Sequence, residues 1–171
     1  TGTAWACAAP ASTTGAWSLT GNSGTVPGTH YLGTRDNQPL ELRVNEQRAL
    51  RLQPGDESPS LVGGYMGNTV NAAVSGGTVA GGGRDLAINT VSAHYATISG
   101  GAGNSASGYA AALGGGEGNS AAGSYSALGG GSGNSATGDY ATLAGGQSNT
   151  VAGEHAAVSG GWTNTAGAAL A

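Results

Sequence analysis

The chain has 171 residues with a formal net charge of -4, and it holds 35 Gly, no Phe and only 8% charged residues. So much glycine without a G-X-Y triplet excludes collagen, and a strict register of apolar and Asn residues in the second half sets it apart from a disordered low-complexity linker. All five basic residues are Arg, none lies beyond Arg84, and the segment after it carries only Glu117, Asp139 and Glu154 besides Asp85. The basic stripe that a nucleic-acid partner needs is therefore missing.

Residues 1–29 are rich in Thr, Ser, Gly and Ala with Trp5 and Trp17, and read as extended chain or short strands with Gly turns. Cys7 is the single cysteine, so no intrachain disulfide is expected, and the residue reads as a small half-buried thiol. The chain starts at Thr1 without Met and is read as a processed product or a fragment. No apolar run has the length of a membrane span, and no signal peptide is visible.

Leu40, Leu42 and Val44 alternate with Glu41 and Arg43, the period of a half-buried strand, and Leu50 and Leu52 resume it. A hairpin is expected over 39–53, ended by Pro54-Gly55-Asp56. Residues 1–60 thus form a small β-rich module, and 61–171 form a second region of repeats. The repeats begin irregularly near Leu61-Val62-Gly63-Gly64. Val79 to Asn89 is four residues longer than its counterparts, which predicts an insertion over Gly81–Ala87 with Arg84 and Asp85 at its tip.

From residue 98 onward the period is fifteen. Ile98, Leu113, Leu128, Leu143 and Val158 form one column, and Asn104, Asn119, Asn134, Asn149 and Asn164 another. A fixed period of this size is one supersecondary unit copied along an axis, so the fold class is an all-β parallel solenoid or roll of 15-residue coils. Two short strands per coil are expected, at Ser105–Ser107 and Ala110–Leu113 and their equivalents. Alternation turns Leu113 and Ala111 inward and the Tyr/His positions outward. Asn side chains in one column are expected to hydrogen-bond to one another along the stack. One Leu and two Ala per coil bury little apolar surface against the entropy of ordering fifteen residues, which argues for several chains packing side by side.

Ala111-Ala112-Leu113-Gly114-Gly115, followed by Asn119-Ser120-Ala121-Ala122-Gly123, resembles the head repeats of trimeric autotransporter adhesins. The Tyr-Ala-x-Leu-x-Gly-Gly pattern is also similar to repeats of phage-type tail fibres. The stretch Trp17-Ser18-Leu19-Thr20-Gly21-Asn22, with Tyr31-Leu32-Gly33-Thr34, Asp36-Asn37-Gln38-Pro39-Leu40 and Arg43-Val44-Asn45, looks like the segment preceding such repeats. Together these cover most of residues 17–170. The resemblance implies a homotrimeric left-handed β-roll on an extracellular, cell-surface or virion fibre, joined to other segments of that fibre. The sequence contains neither the coiled-coil stalk and membrane anchor of the first family nor the C-terminal chaperone region of many members of the second. The carrier is therefore left open.

Motifs for chemistry are sparse. Gly116-Glu117-Gly118-Asn119-Ser120-Ala121 has the G-x-G-x-x-A form, but no helical period follows it, and its near copy one repeat later marks both as turns. The calcium-roll nonapeptide lacks its Asp and has another period. His30, His94 and His155 have no metal-ligand spacing, no carboxylates pair as an acid/base dyad, and no G-x-S-x-G elbow occurs. The chain is read as a non-enzyme without a cofactor.

Tyr95, Tyr125, Tyr140 and His155 share a column, with Tyr109 one residue out of register. These residues, with Arg84 and Asp85, are the candidate contacts for a host-surface glycan or protein receptor; packing between neighbouring chains is the competing reading of the Tyr/His column. The Ser105, Ser120, Ser135, Thr150, Thr165 column suggests the alternative, a monomeric solenoid that binds ice or a glycan.

Overall fold

The computed structural model describes residues 21–167, so the expectations for Trp5, Cys7 and Trp17 lie outside the described residues. The chain divides into two compact units, 1–33 and 34–171. In the first, the N–H groups of Thr29 and His30 donate to Val26 O, and the Val26 N–H donates to His30 Nδ1 at 2.9 Å, closing a turn.

The second unit is all β. The expected hairpin is β1 (Leu40–Val44) and β2 (Gln47–Gln53), joined by Asn45 and Glu46, both at positive φ. That is the backbone sign of the two-residue turns whose twist matches a hairpin. β2 then pairs antiparallel with β3 (Ser60–Gly63). From β3 onward the strands described pair in parallel with one another, coil to coil. One sheet continues through β5 (Thr78–Val79), β7 (Thr97–Ile98), β9 (Ala112–Leu113), β11 (Ala127–Leu128), β13 (Thr142–Leu143) and β15 (Ala157–Val158). The other stacks β4 (Thr69–Val70), β6 (Thr90–Val91), β8 (Ser105–Ala106), β10 (Ser120–Ala121), β12 (Ser135–Ala136), β14 (Thr150–Val151) and β16 (Thr165–Ala166). The result is a β-solenoid of about seven turns.

Leu61 pairs with Thr78, Thr78 with Thr97 and Thr97 with Ala112, so successive coils hold 17, 19 and then 15 residues. The strands are shorter than expected: Ser105–Ala106 and Ala112–Leu113 in place of Ser105–Ser107 and Ala110–Leu113. Ala110 lies at φ 51, a left-handed conformation that an L residue cannot hold inside a strand.

The core lies between the two sheets. Ile98, Leu113, Leu128 and Leu143 are buried, each register partner of the next. Val158, at the end of the column, is only half-buried, because no further coil among the described residues covers it. The facing sheet contributes Val91, Ala106, Ala121, Ala136 and Val151, and the corners contribute Ala96, Ala111, Ser126 and Ala141, all buried.

Among the described residues no coil precedes the first one to donate to its outward carbonyls. In later coils Asn89 O and Val91 O accept from the N–H groups of Thr69 and Asn71. In the first, Arg48 Nη2 donates to Asn68 O at 2.8 Å and to Met66 O at 2.6 Å, and Gln53 Nε2 donates to Val70 O at 3.3 Å. The hairpin thus covers one sheet with its backbone and the edge of the other with side chains, meeting the need to pair buried backbone groups and to protect a sheet edge. Partial burial, reinforced by the charge of Arg51, pulls the Arg48 guanidinium below its ordinary pKa, and Glu41 opposes that shift.

One glycine column is obligatory. Gly131 sits at φ 87, and a Cβ there would meet Gly146 O at 2.0 Å; Gly101, Gly116 and Gly146 face the same contact one coil on. Gly100 has an ordinary φ and open space around its Cβ direction. Gly131→Ala should lower stability by about 3 kcal/mol or more, since clash and left-handed strain add. Gly100→Ala should stay within about 0.5 kcal/mol of the parent, as surface changes do. Thermal or denaturant unfolding of the two variants checks the difference, and equal losses would contradict the close approach described.

Candidate functional site

The asparagine column is the most heavily hydrogen-bonded feature of the rod, and its geometry differs from the expected one. Each Oδ1 accepts mainly from the backbone N–H of the next asparagine: Asn119 N–H to Asn104 Oδ1 at 3.0 Å, Asn134 N–H to Asn119 Oδ1 at 2.9 Å. Each Nδ2 donates to two glycine carbonyls, one in its own turn and one in the next coil, as Asn119 does to Gly115 O and Gly131 O, both at 2.9 Å. Amide-to-amide contact is added only at Asn134 and Asn149, at 3.1 and 3.2 Å. A carboxylate could not donate to the glycine carbonyls and an alkyl group could do neither task, so the position requires a primary amide. Asn68 and Asn89 belong to the same file although their spacing departs from fifteen. Asn164 is exposed at the other end and keeps one glycine acceptor, Gly160 O.

The aromatic residues form a continuous stack on the outside. Ring centroids step from Tyr95 to Tyr109 (5.5 Å), Tyr125 (5.5 Å), Tyr140 (5.1 Å) and His155 (4.8 Å). Tyr109, one residue off in sequence, nonetheless places its ring between its neighbours, edge-on to both. The last three rings are near-parallel, at 8° and 13°. Parallel stacking along the rod covers the inner faces of these rings and leaves their edges exposed. The two ends of the stack meet carboxylates: the Tyr95 hydroxyl donates to Glu57 Oε2, and His155 Nε2 lies 3.4 Å from Glu154 Oε1.

This column occupies a strained slot. Tyr95, Tyr125, Tyr140 and His155 lie at φ 57–60 and Ala110 at φ 51; the preceding coil has Gly76 there, at φ 66. Each of these five residues donates its N–H to the coil before, for example Tyr125 to Tyr109 O at 2.7 Å and Tyr140 to Ser124 O at 2.8 Å. Glycine would fit at lower conformational cost, so packing between rings offsets a local penalty of about 1 kcal/mol or more per coil.

The insertion is a tight turn whose tip is Asp85-Leu86, not Arg84-Asp85. Arg84 and Ala87 exchange backbone hydrogen bonds at 3.2 and 3.1 Å, leaving Asp85 and Leu86 as the two central residues. Leu86 is 97% exposed and lies at φ 61. Arg84, the last basic residue of the sequence, is paired. It reaches across to Glu117, Nη2 to Oε1 at 2.5 Å, with both side chains largely in solvent. The turn and the aromatic stack thus provide two exposed irregular features.

Among the described residues no three His, Cys, Asp or Glu side chains gather as a metal site would require, and no helix is long and apolar enough to cross a membrane. The capping pair Arg48 and Gln53 and the Glu57 partner of Tyr95 were not singled out from sequence. Only the three-dimensional return of the hairpin and of the polar turn after it brings them into place.

Two side chains in neighbouring turns test the polar interior in opposite directions. Asn119→Ala leaves Asn134 N–H and Gly115 O without a partner and Gly131 O with the Glu117 N–H alone, and should cost about 3 kcal/mol. Ser126 sits in a column otherwise filled by Ala96, Ala111 and Ala141, and its Oγ is buried without a hydrogen-bond partner among the described residues. Ser126→Ala should therefore raise stability, by about 1 kcal/mol. Denaturation midpoints of the two single variants read both signs. Set against family models, curated proteins and solved structures, the chain matches none of them.

Proposed function

We propose that this chain is a structural and adhesive segment of an extracellular or virion-like fibre, in which three copies pack as a homotrimeric β-roll. The observation that supports this most is the thin core: one file of large apolar residues, Ile98, Leu113, Leu128 and Leu143, faced only by Ala and, at two levels, by Val91 and Val151. One coil encloses little apolar surface, and lateral packing of copies adds what a lone coil lacks. The resemblance to adhesin heads and tail-fibre repeats points to the same assembly and to other segments of the fibre as partners. Its work is reach along the rod, with attachment to a host-surface glycan or protein receptor through the Arg84–Ala87 turn or the aromatic stack. Small, repeated side chains along the coils offer little for recognition, so these irregular features are the places for it. Nucleic acid is not a partner in this reading, nor does the segment enter a membrane, and no catalysis is assigned.

A second reading, a monomeric solenoid binding ice or a glycan, is favoured by the outward hydroxyl file Thr90, Ser105, Ser120, Ser135, Thr150 and Thr165, paired residue to residue. Sedimentation at micromolar protein separates the two. The fibre reading expects a trimer; a folded, stable monomer would remove it and promote the ice-binding alternative. In a cell-adhesion or glycan-array assay, Arg84→Ala or Tyr125→Ala should weaken attachment while circular dichroism stays unchanged. Parent-like attachment by both variants would reduce the segment to a spacer.

A further inference from the structure

The aromatic stack contains one pair placed for a specific covalent change. Tyr125 and Tyr140 occupy the same slot of successive coils, 5.1 Å apart and 8° from parallel, and each ring is about half-exposed (49% and 48%). Equivalent slots and near-parallel planes set the two rings face to face, the approach that two phenoxyl radicals with π-type unpaired electrons need. The other tyrosine pairs differ. Tyr95 and Tyr109 meet at 81°, and Tyr109 and Tyr125 at 67°, which points the edge of one ring at its neighbour and denies them the face-to-face approach. The backbone holds the pair in place: both residues are fixed in the left-handed region, and their N–H groups are bonded to the preceding coil.

We propose that Tyr125 and Tyr140 form an oxidative coupling site, at which a one-electron oxidant such as a haem peroxidase with hydrogen peroxide joins two adjacent coils through a dityrosine bond. Each phenol gives up one electron and its hydroxyl proton to become a phenoxyl radical. The radicals share their unpaired electrons in one new carbon–carbon bond between ortho positions. The two ortho hydrogens then leave carbon as each ring regains its aromatic phenol. The protein loses two hydrogens in all, and one hydrogen peroxide is reduced to two waters. The bond welds the turn that carries Tyr125 to the one that carries Tyr140, across a contact otherwise made by hydrogen bonds and stacking. This inference uses only the geometry within one chain and does not depend on the fibre reading.

The test is treatment of the folded protein with peroxidase and hydrogen peroxide, followed by fluorescence and mass spectrometry. No Lys or Arg follows Arg84, so trypsin leaves both tyrosines on one fragment, whereas cleavage before Asp139 puts them on different peptides. The expected result is dityrosine fluorescence and a linked pair of peptides, one holding Tyr125 and one Tyr140, lighter than their sum by two hydrogens. Tyr125→Phe and Tyr140→Phe should each abolish that pair while keeping the stacked ring, and Tyr65→Phe should leave it intact. A mixture of isotopically light and heavy protein, oxidised together, should give only light–light and heavy–heavy pairs. Mixed pairs would overturn the assignment within one chain. Coupling mainly at Tyr95–Tyr109, or no coupling under conditions that couple a free tyrosine peptide, would overturn the site itself.

Discussion

The rod depends on a hydrogen bond that secondary structure alone does not supply. Backbone hydrogen bonds run from coil to coil through strands and turns, but the N–H of each asparagine from Asn89 onward and one glycine carbonyl per regular coil, such as Gly115 O, have no backbone partner. One asparagine per coil closes this gap. Its oxygen takes the N–H of the next asparagine, and its nitrogen ties two glycine carbonyls, one in its own turn and one in the turn beyond. The arrangement works only if the next turn lies close enough for both carbonyls to be reached, and that distance is set by the glycines. A side chain at Gly131 would strike Gly146 O and crowd Asn134 Nδ2. Asparagine and glycine columns are thus one device, and the apolar file fills the space it defines.

Ends and irregular coils obey the same requirement. Where no preceding coil exists, Arg48 and Gln53 stand in for its N–H groups. Their hydrogen-bonding capacity serves backbone satisfaction, and the Arg48 charge is partly desolvated as a result. The nearby Glu41 carboxyl lies below its ordinary pKa, chiefly through its hydrogen bond from Arg43, so charge at this end of the rod is arranged in local pairs.

Much of this was legible because it repeats. A period of fifteen, one large apolar residue per coil and a fixed Asn marked the solenoid, and strand alternation placed Leu113 and Ala111 inward as found. The hairpin was legible from Leu40 to Leu52 for the same reason. What escaped the pattern was geometry decided between coils. Register counting put Tyr109 outside the aromatic column, but a long side chain on a neighbouring position can swing its ring into the gap. Counting also gave no sign that the Tyr and His positions sit in the left-handed region, since that slot is usually marked by Gly or Asn. The Asn column was visible, but its acceptors are backbone carbonyls, which carry no mark in a sequence. The tip of the insertion moved to Asp85-Leu86 because Arg84 is already the first residue of the turn.

Coils of 17, 19 and 15 residues share one pair of sheets without a slip in strand register. Pitch is therefore independent of chain length per turn: the strands and the asparagine file act as the ruler, and surplus residues are expelled sideways. A change in length at a corner alters what the surface displays and leaves the axis untouched. Such a scaffold can acquire or lose whole loops without being redesigned, in the way a rack accepts different tools on identical pegs.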